Sequence, residues 1–160
     1  MRITCYKTML DDDRKNILVK ESSGNYPEIR ELKSPRKVTE MLNRVFQASK
    51  QAEEHTYLIA TDMKMKIIGV FEVAHGIVDA SLLNPREIFV RLCLCGAATF
   101  IIAHNHPSGD STPSKQDYEL TSKIEQASKM LGVELLDHIV IGNMEYTSIK
   151  SLERNQKMVN

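Results

Sequence analysis

Residues 98–117 read ATFIIAHNHPSGDSTPSKQD and combine a short apolar run, two histidines and the start of a helix. The apolar run, 98–103, predicts a central buried strand, because a short continuous apolar segment is typical of a strand covered on both faces. A turn-rich loop follows the histidines, and Pro113-Ser114 then begins a helix that Gly132 ends. The stretch therefore predicts a strand, a loop and a helix in immediate succession.

Further elements are predicted on both sides of this stretch. Segments 2–10 and 16–20 predict a hairpin with a charged turn, and residues 21–27 predict a loop. Capping signals and apolar spacing predict the other elements: a helix from Ser34 to about residue 51, strands 56–61 and 66–74, a helix from Asn84 to about Cys95, strands 133–141 and 144–147, and a short final helix from Ser148. This order predicts an α/β fold with a mixed β-sheet flanked by helices.

The chain length sets the expected domain organisation. A chain of 160 residues suits one continuous hydrophobic core. We expect residues 34–152 to form one domain, residues 1–33 to form an N-terminal β-hairpin extension, and residues 153–160 to form a polar tail.

Charge and cysteine content bear on partners and location. Lys plus Arg equals Asp plus Glu, at 21 each, so the net charge is zero. Nucleic-acid binders usually carry a basic excess, so DNA association is an alternative that the net charge does not support. Three cysteines, no secretory segment and no apolar run of membrane-spanning length predict a cytoplasmic protein with free thiols and no membrane partner.

His104 and His106 lie at the end of the predicted central strand. Side chains two residues apart on a strand point to the same side, so both imidazoles can reach one zinc ion at roughly 2.0–2.1 Å. Asp117 falls on the first turn of the next helix, close enough to add a carboxylate oxygen. Three protein ligands leave one position for water, as in catalytic zinc sites. The sequence therefore predicts one Zn²⁺ per chain, bound by His104, His106 and Asp117.

Single residues of this site also have simpler interpretations. Ser114 and Asp117 match a helix cap, and histidines in loops are common. The combination of ligand spacing and structural context favours the metal site. Two roles are open for Ser114, capping the helix and facing the metal-bound water. His138 has two equal interpretations, as a group beside the site or as a core histidine bonded to a backbone carbonyl.

A zinc-bound water needs a general base, and beside zinc a carboxylate is the usual one. Four glutamates are candidates on their position alone: Glu53, Glu54, Glu72 and Glu87. Glu87 is most simply explained as a first-turn helix residue, and Glu72 alternates with apolar neighbours as a solvent-facing residue would. Glu53 and Glu54 lie where a helix leads into a strand. The residues alone do not separate these candidates.

These features resemble the JAMM (MPN/JAB) metalloprotease domain, and within it the RadC-like branch. The resemblance is carried by residues 104–110, Pro113-Ser114 and Asp117, with support from residues 85–89 and 136–142. It extends from about residue 34 to residue 152 and implies a mixed sheet between helices, similar in layout to cytidine deaminases. It also implies the roles of the site residues: Glu54 as general base, His104, His106 and Asp117 as zinc ligands, and Ser114 as the residue that positions the water or the oxyanion.

The resemblance implies a zinc-dependent hydrolase, either a metallopeptidase or an isopeptidase, with a peptide or isopeptide substrate. The alternative is a RadC-like accessory or binding module that acts with DNA or a protein partner without proteolysis. Full-length family proteins carry an N-terminal helix-hairpin-helix-type region. Residues 1–33 resemble instead the short RadC-like form that lacks this region. Nucleobase deamination is disfavoured, because the chain has no C-x-x-C pair.

Overall fold

The computed structural model describes residues 1–29, 32–76 and 83–159, with only the backbone described at positions 157 and 159. Its regular elements are, in chain order, β1 (Arg2–Leu10), β2 (Asn16–Asn25), α1 (Pro35–Phe46), a 3-10 turn (Ala48–Lys50), β3 (Glu54–Thr61), β4 (Ile67–Gly76), α2 (Pro85–Cys95), β5 (Thr99–Asn105), α3 (Lys115–Leu131), β6 (Glu134–Ile141), β7 (Tyr146–Ser148) and α4 (Ile149–Val159).

Seven strands form one mixed sheet in the order β2-β1-β4-β3-β5-β6-β7. The pairs β1–β4 and β5–β6 are parallel, and the other neighbouring pairs are antiparallel. Apolar side chains of α1 pack with one face of the sheet, whereas those of α2 and α3 pack with the other. The predicted α/β fold, a mixed β-sheet flanked by helices, is confirmed.

Strand β5 carries His104 near its carboxyl end, and His106 follows directly after the strand. The strand lies between β3 and β6, and all seven of its residues are buried. Ile101 and Ala103 pack on the α1 side, whereas Phe100 and Ile102 pack on the side of α2 and α3. Because side chains alternate along a strand, His104 falls on the same face as Ile102 and points toward α3.

The helices begin at the predicted residues. The side chains of Ser34, Asn84 and Ser114 each accept a hydrogen bond from a backbone N–H of the first helical turn. Helix α3 ends at Gly132, which has a φ of 68° that glycine adopts without strain. Helix α1 ends at Phe46, earlier than predicted, because Gln47 turns into the left-handed region.

Two terminal segments differ from their predicted form. Residues 21–25, predicted as a loop, belong to β2, because Ser22 and Ser23 continue the pairing with β1. Residues 153–159 of the predicted polar tail continue helix α4. In the hairpin, Ile3 and Cys5 are buried in the same apolar cluster as helix α1. Among the described helices, none has the length and apolar character needed to cross a membrane.

Candidate metal centre

Three predicted ligands come together at the carboxyl end of β5. His104 Nε2 lies 3.1 Å from His106 Nε2 and 3.1 Å from Asp117 Oδ1. His106 Nε2 lies 3.6 Å from Asp117 Oδ2. Ligand atoms bonded tetrahedrally to zinc at 2.0–2.2 Å are separated by about 3.3–3.6 Å. The spacing of the three groups therefore fits one small divalent ion.

The hydrogen bonding of His106 shows which ring nitrogen faces the other two ligands as an acceptor. His106 Nδ1 lies 2.8 Å from the backbone carbonyl oxygen of Asp110. A carbonyl oxygen only accepts, so Nδ1 carries the hydrogen and the neutral ring keeps its lone pair on Nε2. That lone pair faces His104 and the carboxylate of Asp117. Electron-pair donors at such short separations repel one another, so the arrangement favours a positive charge between them: either a proton, through which Nε2 hydrogen-bonds to Asp117, or a metal ion.

Electrostatics at the centre are dominated by the carboxylate of Asp117. Burial alone would raise the pKa of Asp117, but hydrogen bonds with His104, His106 and Ser114 outweigh it and hold the pKa well below its usual range. The pKa of His106 is raised, mainly by its hydrogen bond with Asp117. The carboxylate is therefore ionised and can serve as an oxygen ligand.

The helix cap of α3 orients Asp117. The backbone N–H and the hydroxyl of Ser114 each donate to Asp117 Oδ2, both at 2.7 Å. In return, Ser114 Oγ accepts from the Asp117 backbone N–H at 3.2 Å. One carboxylate oxygen is thereby anchored to the cap, while the other faces His104. The predicted capping role of Ser114 is present, and its hydroxyl proton is engaged with Asp117.

Of the four candidate glutamates, Glu54 has a carboxylate whose charge interacts with His104, His106 and Asp117. Burial is the main influence on Glu54 and raises its pKa, although the two imidazoles partly oppose this shift. The other three are differently placed: the side chain of Glu53 is exposed, Glu72 bonds to His55 and His75, and Glu87 pairs with Arg91 on helix α2.

Asn105, between the two histidines, links β5 to the residues on either side of Glu54. Its Oδ1 accepts from the backbone N–H of His55 at 2.8 Å, and its Nδ2 donates to the carbonyl oxygen of Glu53 at 2.9 Å. The side chain is buried, with 1% of its surface exposed. These two bonds fix the backbone at Glu54 relative to the histidines.

We expect Asn105→Ala to destabilise the metal-free protein by about 1–3 kcal/mol, because it leaves two backbone groups without their partners. Thermal unfolding of the chelator-treated protein measures the effect. Asn43→Ala is the control, because the Asn43 side-chain oxygen accepts one backbone bond, from Ser49, and its loss leaves both bonds of Asn105 in place. An unfolding temperature for Asn105→Ala equal to that of the unmodified protein would contradict this prediction.

Comparison with known proteins identifies the family. Residues 32–156 match the family described as RadC-like JAB domain. The chain belongs to this family.

Three relatives illustrate how much of the RadC-like JAB chain is shared. A UPF0758 protein of Clostridium perfringens is 45% identical over 98 residues, which cover 61% of this chain and 43% of the relative. A UPF0758 protein of Syntrophomonas wolfei is 36% identical over 130 residues, which cover 80% of this chain and 55% of the relative. A UPF0758 protein of Bacillus licheniformis is 39% identical over 99 residues, which cover 62% of this chain and 44% of the relative. The chain thus spans about half the length of the curated relatives it matches.

His138, for which the sequence left two interpretations equal, lies beside the centre, and its ring nitrogens bond to two side chains rather than to a backbone carbonyl. Ligand atoms of His104, Asp117 and His138 also lie within 4.8 Å of one another. His138 Nε2, however, lies 3.0 Å from Nδ1 of His104, the nitrogen that faces away from His106. In the predicted set with His106 the donor atoms lie closer together, within 3.6 Å of one another around Nε2 of His104.

His138 is fully buried, and burial lowers its pKa to about 3. Its position follows from the pairing of β5 with β6, which sets His138 beside Ile102 on the His104 face. A RadC-like JAB domain with this buried imidazole and carboxylate group is compatible with a metal-dependent hydrolase.

Proposed function

We propose that this RadC-like JAB domain is a zinc-dependent hydrolase of amide bonds, acting as a metallopeptidase or isopeptidase. The convergence of two imidazole nitrogens and the Asp117 carboxylate, with Glu54 on the same face of the sheet as His104, carries the proposal. His104, His106 and Asp117 would hold the ion, and two nitrogen donors with one oxygen donor suit zinc. When bound, Zn²⁺ supplies Lewis acidity, which polarises a carbonyl and brings the pKa of coordinated water toward about 7.

The chain's own residues handle the proton and the orientation of the ligands. The Glu54 carboxylate accepts a proton from the attacking water and returns it to the leaving amine. Asn105 holds the backbone on both sides of that carboxylate. Ser114 orients Asp117 through Oδ2. For Ser114 also to stabilise an oxyanion, its hydroxyl would have to exchange the Asp117 bond for one to the substrate.

The substrate and the cellular location belong to the same proposal. We expect a peptide or isopeptide substrate. Amide hydrolysis requires a general base and a set of metal ligands, and the proposed centre provides both. A DNA partner is not favoured by a net charge of zero. The three cysteines are all free, which supports a cytoplasmic location.

Elemental analysis tests the metal directly. We expect protein purified without chelators to contain close to one zinc per chain, and chelator-treated protein to regain it when zinc is added. The zinc-loaded protein is then incubated with a library of proteome-derived peptides, and new termini are detected by mass spectrometry. Zinc below a tenth of an equivalent after reloading would refute the enzyme and favour a binding module.

A further inference from the structure

A chain of buried hydrogen bonds connects helix α3 to the far side of the His104 ring. Thr121 Oγ1 lies 2.6 Å from the backbone carbonyl oxygen of Asp117 and 2.7 Å from His138 Nδ1. His138 Nε2 lies 3.0 Å from His104 Nδ1. Thr121 and His138 have no exposed surface, and His104 is 2% exposed. These partners are therefore shielded from bulk water.

Donor and acceptor can be assigned for every bond in this chain, starting from the bond between Thr121 and the Asp117 carbonyl. The Asp117 carbonyl can only accept, so the single hydroxyl hydrogen of Thr121 is donated to it. Thr121 Oγ1 must then accept from His138 Nδ1, because two lone pairs would otherwise meet at 2.7 Å. The two ring nitrogens of the buried His138 bond to His104 and Thr121, so no carboxylate compensates a charge there; the ring is therefore neutral, which leaves a lone pair on Nε2.

The bond between His138 and His104 determines the tautomer of His104. Because His138 Nε2 accepts, His104 Nδ1 carries a hydrogen, and the neutral ring has its lone pair on Nε2. We infer that Thr121 and His138 are positioning residues that select the tautomer of His104 required for metal binding at Nε2. This inference rests on the proposed metal site. It differs from an assignment of His138 as a ligand, because His138 acts here only through His104.

Thr121 is also linked to the metal centre through its own helix. It lies one turn after Asp117 and bonds to the carbonyl of that residue. The same helical turn therefore carries one proposed ligand and the group that sets the tautomer of another. In metal proteins the second nitrogen of a ligating histidine is typically bonded to an oriented partner, and loss of that partner weakens metal binding by about 10–100-fold.

The test compares Thr121→Val with two other variants. Valine keeps the shape of threonine but cannot accept from His138, so His138 and His104 can adopt the opposite tautomers. Thr121→Ser retains the hydroxyl and should restore the wild-type behaviour. Thr61→Val is the matched control, because the Thr61 hydroxyl is buried and bonded to Thr99, about 16 Å along β5 from His104.

Zinc affinity, measured by competition with a chelator, is expected to fall 10–100-fold in Thr121→Val and to change less than about threefold in Thr121→Ser and Thr61→Val. Thermal unfolding of the metal-free proteins reports stability separately. A purely structural role for Thr121 predicts that both valine variants lose stability and keep wild-type zinc affinity, which would overturn the inference. Substitution of ¹¹³Cd should give couplings to His104 and His106, and a coupling to His138 would also overturn it.

A measurement without any variant covers the case in which Thr121→Val does not fold. Long-range ¹H–¹⁵N spectra of the metal-free wild-type protein report which imidazole nitrogens carry hydrogen. We expect a hydrogen on Nδ1 of both His104 and His138, and none on Nε2 of His138. A His104 ring with hydrogen on Nε2 alone would refute the inference. If the wild-type protein binds no zinc, the proposed function fails, while these spectra still decide the tautomers.

Discussion

Asp117→Asn is expected to reduce bound zinc from one equivalent to below a tenth. In the wild-type protein Asp117 Oδ2 accepts two hydrogen bonds from Ser114, and Oδ1 faces His104. Asparagine has one oxygen, which the Ser114 donors would retain. Its NH₂ group would then face His104, and this group has no lone pair to offer a metal. The variant loses both the charge and the donor atom while its size is unchanged.

Elemental analysis and thermal unfolding with and without added zinc measure this effect together. Zinc at 100 times its dissociation constant stabilises the folded protein by about 2.7 kcal/mol, and Asp117→Asn should lose this gain. Glu87→Gln is the matched control, because Glu87 is likewise a first-turn acidic residue, on α2. A full equivalent of zinc in Asp117→Asn would show that the carboxylate is not a ligand.

The close approach of the three proposed ligands could be predicted because its determinants are local. His104, His106 and Asp117 lie within one strand, one tight loop and one helical turn, and capping rules place Asp117 on the first turn of α3. Alternation along a strand predicts that the two histidines lie on one side, and they do meet, although β5 ends at Asn105, one residue before His106. The element order similarly predicts a mixed sheet, because it contains both hairpins and helical crossovers.

The contacts of Asn105, His138 and Glu54 depend on which strands pair and in which register, and sequence periodicity does not predict either. Asn105 reaches backbone groups some 50 residues earlier in the chain, and His138 meets His104 only because β6 lies parallel to β5 in a particular register. Thr56 pairs with His104, so Glu54, two residues before Thr56, lies on the same face of the sheet as His104. The spacing of residues in the sequence does not distinguish Glu54 from Glu53 in this way. A shift of one residue in either pairing would reverse these faces.

The β2 strand shows the same dependence on tertiary contacts. The segment Ser22-Ser23-Gly24-Asn25 has the composition of a loop, since serine, glycine and asparagine favour turns. It is extended because the backbone of β1 pairs with it along its whole length. Local propensity was therefore overridden by a neighbouring strand.

Glu54→Gln is expected to reduce peptide cleavage by about 10²–10⁴-fold, the usual contribution of a general base. Glutamine has nearly the same shape but cannot accept the proton from the attacking water at neutral pH. Zinc content should remain close to one equivalent, because Glu54 is not in the proposed ligand set. The measurement compares new peptide termini formed by equal amounts of zinc-loaded wild-type and variant protein.

Glu53→Gln is the control for this experiment, because it makes the same chemical change one residue earlier, on an exposed side chain. It should keep the wild-type rate, since Asn105 contacts the backbone carbonyl of Glu53 and not its carboxylate. Retention of full activity by Glu54→Gln would show that another group takes the proton. Loss of both zinc and activity would instead show that Glu54 supports the ligand set, because a base alone does not hold the ion. Activity and zinc content of the two variants, which differ by one position at the start of β3, therefore distinguish a role in proton transfer from a role in metal binding.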